Sequence, residues 1–340
     1  MSRLSPKIFL THSSDMLRNY YGERAVNALQ ELGDLRINPT GQVLTSAALI
    51  AGAQGCEIIV SDRQTVAPQE VFASLPELVA FLRCAVDIRN IDVPAATGAG
   101  VLVTRATPGF IASVAEMTVA FMIDIARGIT DSATAYREGR QPTPVMGRQL
   151  KGATLGIIGY GVIGQYLTKL GLALGMTVVI SDPFQKVDEA GARQADLAEL
   201  LQESDFVVCL AVANEATENL MNAAAFSRMK PAAYFINMSR GNLVDEAALA
   251  AALDKRQIAG AAMDVGRAAD QMPSPFFAKR PDVIATPHTA GLTPQAVEHQ
   301  AFDTVEQVRA LVAGKTPPGA VNAEAAHRLR PFFDRVSNAS

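Results

Sequence analysis

With 340 residues, a formal net charge of −4 at pH 7 and 49% hydrophobic residues, the sequence predicts a globular protein of two domains, since one core rarely supports this length. The weak negative charge, without clustered Lys or Arg, argues against a nucleic-acid partner. The three cysteines form no CxxC pair and no apolar run is long enough for a membrane span or signal peptide, so we expect a cytoplasmic protein without disulfides, a metal site or a membrane partner.

Short β and α segments alternate in the first part of the chain. Strands are predicted at 7–11, 57–60 and 100–104, and helices at 25–32 and 76–81. Gly, Pro or polar residues bound each apolar segment, as is usual for short elements of a sheet. This alternation predicts a parallel sheet covered by helices.

A long apolar segment at 111–129 predicts a helix that ends near Gly128. Such a helix is long for a monomer, and we expect it to pair with a second copy of the chain in a homodimer. Burial of the helix between two domains is the alternative. The following segment, 138–152, is rich in Pro, Gly and Arg, and it predicts a surface connection.

A second β-α series follows this connection. Its predicted strands are 154–158, 177–181, 206–210, 232–238, 260–263 and 283–285, and its predicted helices are 162–174, 197–201 and 247–253. No short tandem repeat is present in the sequence, so two unlike α/β units are preferred to a solenoid.

A glycine-rich motif follows the first strand of the second series. It contains Gly159, Gly161 and Gly164 in a GxGxxG pattern, with Val162 and Ile163 at the start of the next helix. The first glycine permits a tight turn, the second lets the backbone approach a pyrophosphate, and the third lets helix and strand pack closely. The helix N-terminus supplies N–H groups and a partial positive charge, so the motif predicts a dinucleotide site.

The identity of the dinucleotide follows from Asp182. This residue ends the next predicted strand, close to the spacing of an acid that binds the ribose 2′-hydroxyl. A carboxylate there repels a 2′-phosphate, so NAD is favoured over NADP, although Lys186 lies nearby.

Two residues are candidates for the chemistry. Reduction of a ketone by hydride needs a proton donor at the carbonyl oxygen, and an acidic substrate needs a cation for its carboxylate. His288 and Arg240 each follow a predicted strand, where ligands bind to open parallel sheets. The alternatives are a loop histidine satisfied by the backbone, and an arginine paired with Asp245 or Glu246. The other histidines are predicted in a polar loop (His12) and in solvated, charged segments (His299 and His327).

Several segments together resemble the D-isomer-specific 2-hydroxyacid dehydrogenases. They are 159–164, 182–183, 237–246, 261–265 and 286–291 in the second series, with 90–92, 100–104, 107–109 and 114–116 in the first. They occur in the order and with the spacing typical of the family, over residues 57–322.

The resemblance implies an α/β fold in which a Rossmann dinucleotide-binding domain is inserted in a flavodoxin-like substrate domain. The substrate domain is expected at 1–107 and 296–340, the NAD-binding domain at 108–295, and the active site in the cleft between them.

The resemblance also implies roles for individual residues. By position, Arg240 resembles the substrate-orienting arginine and His288 the acid/base histidine. The loop whose backbone binds the substrate carboxylate corresponds to Ala85, Val86 and Asp87. The expected NAD contacts are Gly159, Gly161, Val162, Ile163, Gly164, Asp182, Ser239 and Asp264, the last near the nicotinamide carboxamide.

The sequence departs from the family pattern behind the histidine. The glutamate that usually hydrogen-bonds the histidine and fixes its tautomer falls at Ala269. We hypothesise that Asp270 replaces it as the partner of His288, in a loop one residue shorter. A solvated loop aspartate is the alternative.

The carboxylate-binding loop also departs from the pattern, because Asp87 stands where the family has glycine. This carboxylate either narrows the pocket and disfavours doubly anionic substrates, or points to solvent. Arg63 and Arg83 precede the loop, and both are expected at the surface.

The sequence therefore predicts an oxidoreductase that transfers a hydride between NAD(H) and a small 2-hydroxy or 2-oxo acid. The alternative from another class is a non-catalytic, NAD-sensing binding protein, since one branch of the family consists of transcriptional corepressors. Retention of both Arg240 and His288 favours an enzyme. The absence of glutamine at position 269 argues against formate oxidation, whereas phosphoglycerate dehydrogenase activity stays open.

Overall fold

Two parallel β-sheets form within residues 5–337, the part of the chain described by a computed structural model. The strands are β1 (Lys7–Leu10), β2 (Asp34–Ile37), β3 (Ile58–Ser61), β4 (Ala80–Arg83), β5 (Leu102–Arg105), β6 (Thr154–Ile158), β7 (Thr177–Ser181), β8 (Ala192–Gln194), β9 (Phe206–Cys209), β10 (Tyr234–Asn237), β11 (Gly260–Met263) and β12 (Val283–Ala285). The α-helices are α1 (Ser14–Tyr20), α2 (Glu23–Leu32), α3 (Ser46–Gly52), α4 (Gln69–Ser74), α5 (Val93–Gly98), α6 (Ile111–Arg127), α7 (Ile129–Arg137), α8 (Val162–Ala173), α9 (Leu197–Glu203), α10 (Ala223–Phe226), α11 (Glu246–Asp254), α12 (Pro275–Ala278), α13 (Pro294–Val312) and α14 (Leu329–Ser337). Single-turn 3-10 helices lie at Glu215–Thr217, Gly241–Leu243, Ala269–Gln271 and Ala323–Ala325.

The chain divides into two units. Residues up to Gly109 and from Thr293 onward form unit 1, which contains β1–β5, and Phe110–Leu292 form unit 2, which contains β6–β12. The predicted domain limits, after 107 and before 296, lie within three residues of these divisions. One unit is therefore inserted in the sequence of the other.

The sheet of unit 1 has the strand order β2-β1-β3-β4-β5, with all strands parallel. Alternate strand residues pack on opposite faces: Ile8 and Ile58 lie in one hydrophobic cluster with α2, α13 and α14, and Phe9 and Ile59 lie in another with α3, α4 and α5. Helices thus cover both faces, in the strand order of flavodoxin-like folds.

The predicted helix at 76–81 is wrong. Helix α4 ends at Ser74, and residues from Ala80 onward form β4. Because β4 lies between β3 and β5 and is buried on both faces, its residues 80–82 are all apolar. Such a run has no period that separates a buried strand from a buried helix.

The sheet of unit 2 has the strand order β12-β11-β10-β9-β6-β7-β8, again parallel. The chain starts at β6, proceeds outward to β8, and returns to the other side of β6 as β9. The order therefore reverses between β6 and β9, and in doubly wound folds ligands bind beyond the carboxyl ends of the strands at this point. The predicted α/β fold class is confirmed.

The long helix predicted at 111–129 is α6, and it ends near Gly128 as the sequence predicted. Gly128, in the left-handed conformation (φ +61°), ends α6, and α7 begins at the next residue. Residues 140–149 have no regular structure and are mostly exposed, as the composition predicted. Within residues 5–337, no helix has both the length and the apolar character that a membrane span requires.

Candidate active site

The carboxyl edge of the second sheet brings three predicted site residues together. Strands β10, β11 and β12 are neighbours, with their final residues in register. Arg240, Asp264 and His288 each follow the end of one of these strands by one to three residues. They therefore lie at the edge where a doubly wound sheet binds its ligand.

The glycine-rich turn lies between β6 and α8. Gly159 has φ +101°, and a Cβ on it would lie 2.8 Å from the backbone nitrogen of Ala211. A Cβ on Gly164 would overlap the carbonyl oxygen of Gly159, whereas a Cβ on Gly161 would meet open space. The turn, the close helix packing and the exposed backbone that a pyrophosphate needs are therefore all present.

The N-terminus of α8 is open to an anion. Helix α8 begins at Val162, and Gly161, its N-cap, makes no side-chain capping bond. The first N–H groups of a helix have no partner within the helix, so they can donate to a phosphate. Val162 is 50% exposed beside these groups. The residues present thus fit the diphosphate of a dinucleotide.

Asp182 follows β7, and its carboxylate binds the glycine-rich turn between β6 and α8. Its carboxylate accepts hydrogen bonds from the backbone N–H groups of Tyr160 (2.7 Å), Phe184 (2.8 Å) and Gln185 (2.9 Å). Burial acts to raise the pKa of Asp182, but these three bonds outweigh it and hold the pKa below its usual value. The carboxylate is therefore ionised at neutral pH, which favours a ribose 2′-hydroxyl over a 2′-phosphate.

Asp264 organises the loop that carries His288. It is 1% exposed, and its Oδ1 accepts from Thr286 Oγ1 (2.5 Å) and from the Thr289 backbone N–H (2.8 Å). Its Oδ2 accepts from the Ala290 backbone N–H (2.8 Å), and its carbonyl oxygen accepts from the His288 backbone N–H (3.0 Å). A buried carboxylate with three donors fixes this loop firmly, so Asp264 positions His288.

The hydrogen-bond partner of the His288 ring is the main chain of Asp270. His288 Nδ1 lies 2.8 Å from the Asp270 carbonyl oxygen, so the expected residue contacts the ring through its main chain, whereas the prediction named its carboxylate. The reason is local: Asp270 (φ +53°) and Gln271 (φ +57°) are both left-handed, which turns this carbonyl toward the ring. His288 is itself left-handed (φ +55°), and strained backbone of this kind is concentrated at functional sites.

This contact changes what we expect of substitutions at Asp270. The variant Asp270→Asn should keep kcat/KM and its pH profile close to wild type, because the carbonyl remains and Asn tolerates the left-handed conformation. Asp270→Val should lower kcat about tenfold, because a β-branched residue disfavours that conformation by about 1–3 kcal/mol. The pH dependence of kcat/KM measures both. A shifted profile in the Asn variant would instead assign the role to the carboxylate.

The turn after β10 holds Arg240. Arg240 Nη1 donates to the Ser239 carbonyl oxygen (2.7 Å), and Asn237 Nδ2 donates to the Arg240 carbonyl oxygen (3.0 Å). The carboxylates considered as alternative partners have other contacts: Asp245 caps α11, and Glu246 accepts a main-chain N–H group after β11. The arginine is half-buried at the edge of the sheet.

Arg267 links this turn to its neighbours and was not singled out from the sequence. Its Nη2 donates to Glu218 Oε1 (2.8 Å), Asn219 Oδ1 (2.6 Å) and the Asn242 carbonyl oxygen (3.0 Å), so it joins the segments after β9, β10 and β11. Its side-chain hydrogen bond lowers the pKa of Glu218. These segments are brought together only in the folded chain. The sequence around Arg267 therefore did not indicate these contacts.

In unit 1, the predicted carboxylate-binding loop follows β4. Within residues 5–337, the main-chain N–H groups of Ala85 and Val86 have no protein acceptor, which leaves two adjacent donors for an anion. The Asp87 carboxylate forms an ion pair with Arg89, and it accepts from the Arg89 backbone N–H (3.0 Å). The charge of Asp87 is therefore balanced within the loop itself.

Arg83 corrects an expectation, since it is not at the surface. Its side chain is completely buried at the end of β4, and its guanidinium donates to the carbonyl oxygens of Asp62 and Thr65. Arg63 is half-buried and lies over the ring of Tyr20, 4.8 Å from its centroid. The position of Arg83 in the sequence was a signal of its role. A charged residue that ends an apolar strand and precedes a loop lies at the edge of the sheet where ligands bind.

His12 also differs from the prediction of a polar loop. It follows β1 but is only 1% exposed, and its ring packs 4.7 Å from that of Tyr21. Burial lowers the pKa of His12 from 6.5 to about 4. The ring is therefore neutral at pH 7, whereas His299 and His327 are exposed, as expected.

This shift makes the stability of the fold depend on pH. Below pH 6.5 the unfolded chain protonates His12 and the folded chain does not, so stability is lost as the pH falls toward about 4. Between pH 7 and pH 4.5 the wild type should lose about 2 kcal/mol more unfolding free energy than His12→Phe. Urea unfolding at the two pH values measures this difference. Equal losses would show that another group is responsible.

Comparison with known proteins agrees with this geometry. The family model described as "D-isomer specific 2-hydroxyacid dehydrogenase, NAD binding domain" matches residues 119–290. The chain is 33% identical over 302 residues to (S)-sulfolactate dehydrogenase of Chromohalobacter salexigens, a match covering 87% of this chain and 97% of that protein.

Two further similarities extend the comparison. The chain is 32% identical over 299 residues to D-3-phosphoglycerate dehydrogenase of Synechocystis sp., and the match covers 85% of this chain but 54% of that protein. The chain thus spans about half the length of that relative. The apo-structure of D-lactate dehydrogenase from Escherichia coli superposes with a TM-score of 0.78 at 25% identity, covering 93% of this chain and 99% of that one.

The fold and the glycine-rich turn define an NAD-binding dehydrogenase. The chain belongs to the D-isomer-specific 2-hydroxyacid dehydrogenase family, and residues 119–290 are its NAD-binding domain. The predicted family, oxidoreductase class and cofactor are confirmed. The specific substrate and the roles of the individual residues stay predictions.

Proposed function

We propose that this protein is an NAD-dependent reductase of small 2-oxo acids, with His288 as the acid/base group and Arg240 as the group that binds the substrate carboxylate. The observation that carries the proposal is the fixed position of His288. Its backbone is held by Asp264, its ring by the carbonyl of Asp270, and both contacts occur at the ligand edge of the NAD-binding domain.

The contact at Nδ1 determines which ring atom of His288 is available. When Nδ1 carries a proton, it donates to the Asp270 carbonyl oxygen, and Nε2 is the remaining site of proton exchange. In the reduction His288 Nε2 donates its proton to the substrate carbonyl oxygen, and in the reverse oxidation it accepts the hydroxyl proton. NAD, when bound, supplies or accepts the hydride.

Each unit holds a set of donors that we propose for carboxylate binding. The planar guanidinium of Arg240 matches the geometry of a carboxylate and can bind both oxygens. Among the described residues, 5–337, the main-chain N–H groups of Ala85 and Val86 have no acceptor, so unit 1 offers these two donors. Asp87, paired with Arg89, adds no net charge to the loop.

A substrate panel tests the proposal. Glyoxylate, hydroxypyruvate, pyruvate and a bulkier 2-oxo acid are offered with NADH and with NADPH, and nucleotide oxidation is followed by absorbance. At least one 2-oxo acid should turn over, with a preference for NADH because of the ionised Asp182. Tight binding of NADH without turnover of any acid would instead support the NAD-sensing alternative.

We also propose a cytoplasmic homodimer. Unit 2 exposes large apolar side chains on α7 and the irregular segment after it, including Tyr136 (66% exposed) and Met146 (96% exposed). Cys56, Cys84 and Cys209 are free and buried, as suits a reducing compartment. Light scattering should give twice the mass of the chain, and a monomer mass would refute the dimer.

A further inference from the structure

The loop after β4 is closed at its base by a buried pair of side chains. Arg83 is 0% exposed, and its Nη2 donates to Asn90 Oδ1 (2.7 Å) at the far end of the loop. The same Nη2 donates to the Thr65 carbonyl oxygen (2.9 Å). Asn90 Nδ2 in turn donates to the Arg63 carbonyl oxygen (3.0 Å). The two side chains thus tie both ends of the loop to the segment that follows β3.

Main-chain bonds reinforce both ends of this loop. At its start, the Ala85 carbonyl oxygen accepts from the Ala106 N–H group (3.0 Å), beyond the end of β5. At its end, the Asn90 carbonyl oxygen accepts from the Ala67 N–H group (3.0 Å). The residues between these anchors include Val86 and Asp87, so the path of the loop is short and fixed at each side.

Burying the charged guanidinium of Arg83 costs desolvation free energy. Burial lowers the pKa of Arg83 from 12.5 to about 10, so the group is still charged at neutral pH. The carboxylate that acts most strongly on its charge is that of Asp62, which accepts hydrogen bonds from Thr11 Oγ1 (2.7 Å) and Thr65 Oγ1 (2.6 Å). An apolar side chain of similar volume would fill the core without this desolvation cost, which suggests that the contacts themselves matter.

We propose that Arg83 and Asn90 are positioning residues that hold the N–H groups of Ala85 and Val86 in the geometry that binds a substrate carboxylate. This inference rests on the proposed function, in which these N–H groups bind the 2-oxo acid. Preorganised donors bind an anion without the cost of ordering the loop first. Loss of the pair should therefore weaken substrate binding more than it slows the chemical step at His288.

Asn90→Ala is the variant that tests the pair, because it leaves the buried charges of Arg83 and Asp62 in place. We expect KM for the 2-oxo acid to rise about tenfold, the cost of an unpaired buried donor, with a smaller change in kcat. The inhibition constant of oxamate, a non-reacting carboxylate probe, should rise by the same factor. The Kd of NADH, which binds unit 2, should stay within twofold. Asn90→Asp, which keeps an acceptor for Arg83, should recover part of the loss.

Thr65→Val is the matched control. It removes the hydroxyl bonds to Asp62 and Thr11 from the same buried cluster but keeps the Thr65 carbonyl that Arg83 uses. It should lower the melting temperature without raising KM. A KM for Asn90→Ala within twofold of wild type would overturn the inference, and so would an equal rise of KM in Thr65→Val, since that would reflect general destabilisation.

Hydrogen exchange separates this inference from the proposed function. Amides of residues 85–89 should exchange faster in Asn90→Ala than in wild type or Thr65→Val, because their anchor is lost. This readout needs no substrate. Faster exchange without turnover by the wild type would refute the proposed function alone. Unchanged exchange with a fully active wild type would refute the positioning role alone.

Discussion

Replacing His288 with alanine is expected to lower kcat for 2-oxo acid reduction by about 10²–10⁴-fold, the usual contribution of a positioned acid/base group. In the proposed mechanism the ring is the proton donor, and the Asp264 and Asp270 carbonyls hold the residue in place. Because the chemical step is affected, KM and the Kd of NADH should change little.

His327→Ala is the control for this experiment. His327 is an exposed histidine of unit 1, outside the regular elements, and its loss should leave kcat unchanged. Steady-state kinetics with NADH and the best 2-oxo acid of the panel gives the comparison. A loss of kcat below tenfold in His288→Ala would rule out its role as the acid/base group.

Arg240→Lys is expected to lower kcat/KM about 100-fold. Lysine keeps the positive charge but not the planar fork, so one of the two bonds to the substrate carboxylate is lost and the other is misdirected. Loss of charge-assisted hydrogen bonds worth about 1.5–3 kcal/mol accounts for this factor. Arg240→Met, which also removes the charge, should be weaker still.

The surface variant Arg256→Lys is the matched control for Arg240→Lys, since Arg256 is exposed beyond the end of α11. It should keep wild-type kinetics. If oxamate binds Arg240→Lys as tightly as wild type, then Arg240 does not bind the carboxylate. A loss of kcat with unchanged oxamate binding would assign Arg240 to the chemical step instead.

The NAD-binding half of the molecule could be predicted closely from the sequence. The glycines of the motif, Gly159, Gly161 and Gly164, act through the backbone, and Asp182 follows them at a typical spacing. The motif is therefore local and can be recognised in the sequence. Each strand of unit 2 that the sequence predicted is present, since each is bounded by turn residues. The order of these strands in the sheet required the structure.

The substrate half was predicted less well. The apolar run at 76–81 was assigned to a helix, although its end forms β4, because burial on both faces removes the period that identifies a strand. Arg83 was expected at the surface and His12 in a polar loop, because charged and polar side chains are mostly exposed. Asp62, in the loop after β3, acts on the charge of both side chains, and neither His12 nor Arg83 belongs to that loop.

The NAD site and the family of this protein were determined by the sequence alone, because a glycine-rich turn, a helix start and a terminal acid are close neighbours along the chain. Only the tertiary structure decided what holds His288. The carbonyl of Asp270 reaches the ring because two successive left-handed residues turn it there, and Asp264, 24 residues earlier in the chain, fixes the loop through adjacent strands β11 and β12. Backbone conformation and strand adjacency cannot be read from side-chain identity, so the contact of the Asp270 carbonyl with His288 could not be predicted, and the catalytic role of Asp270 stays a prediction.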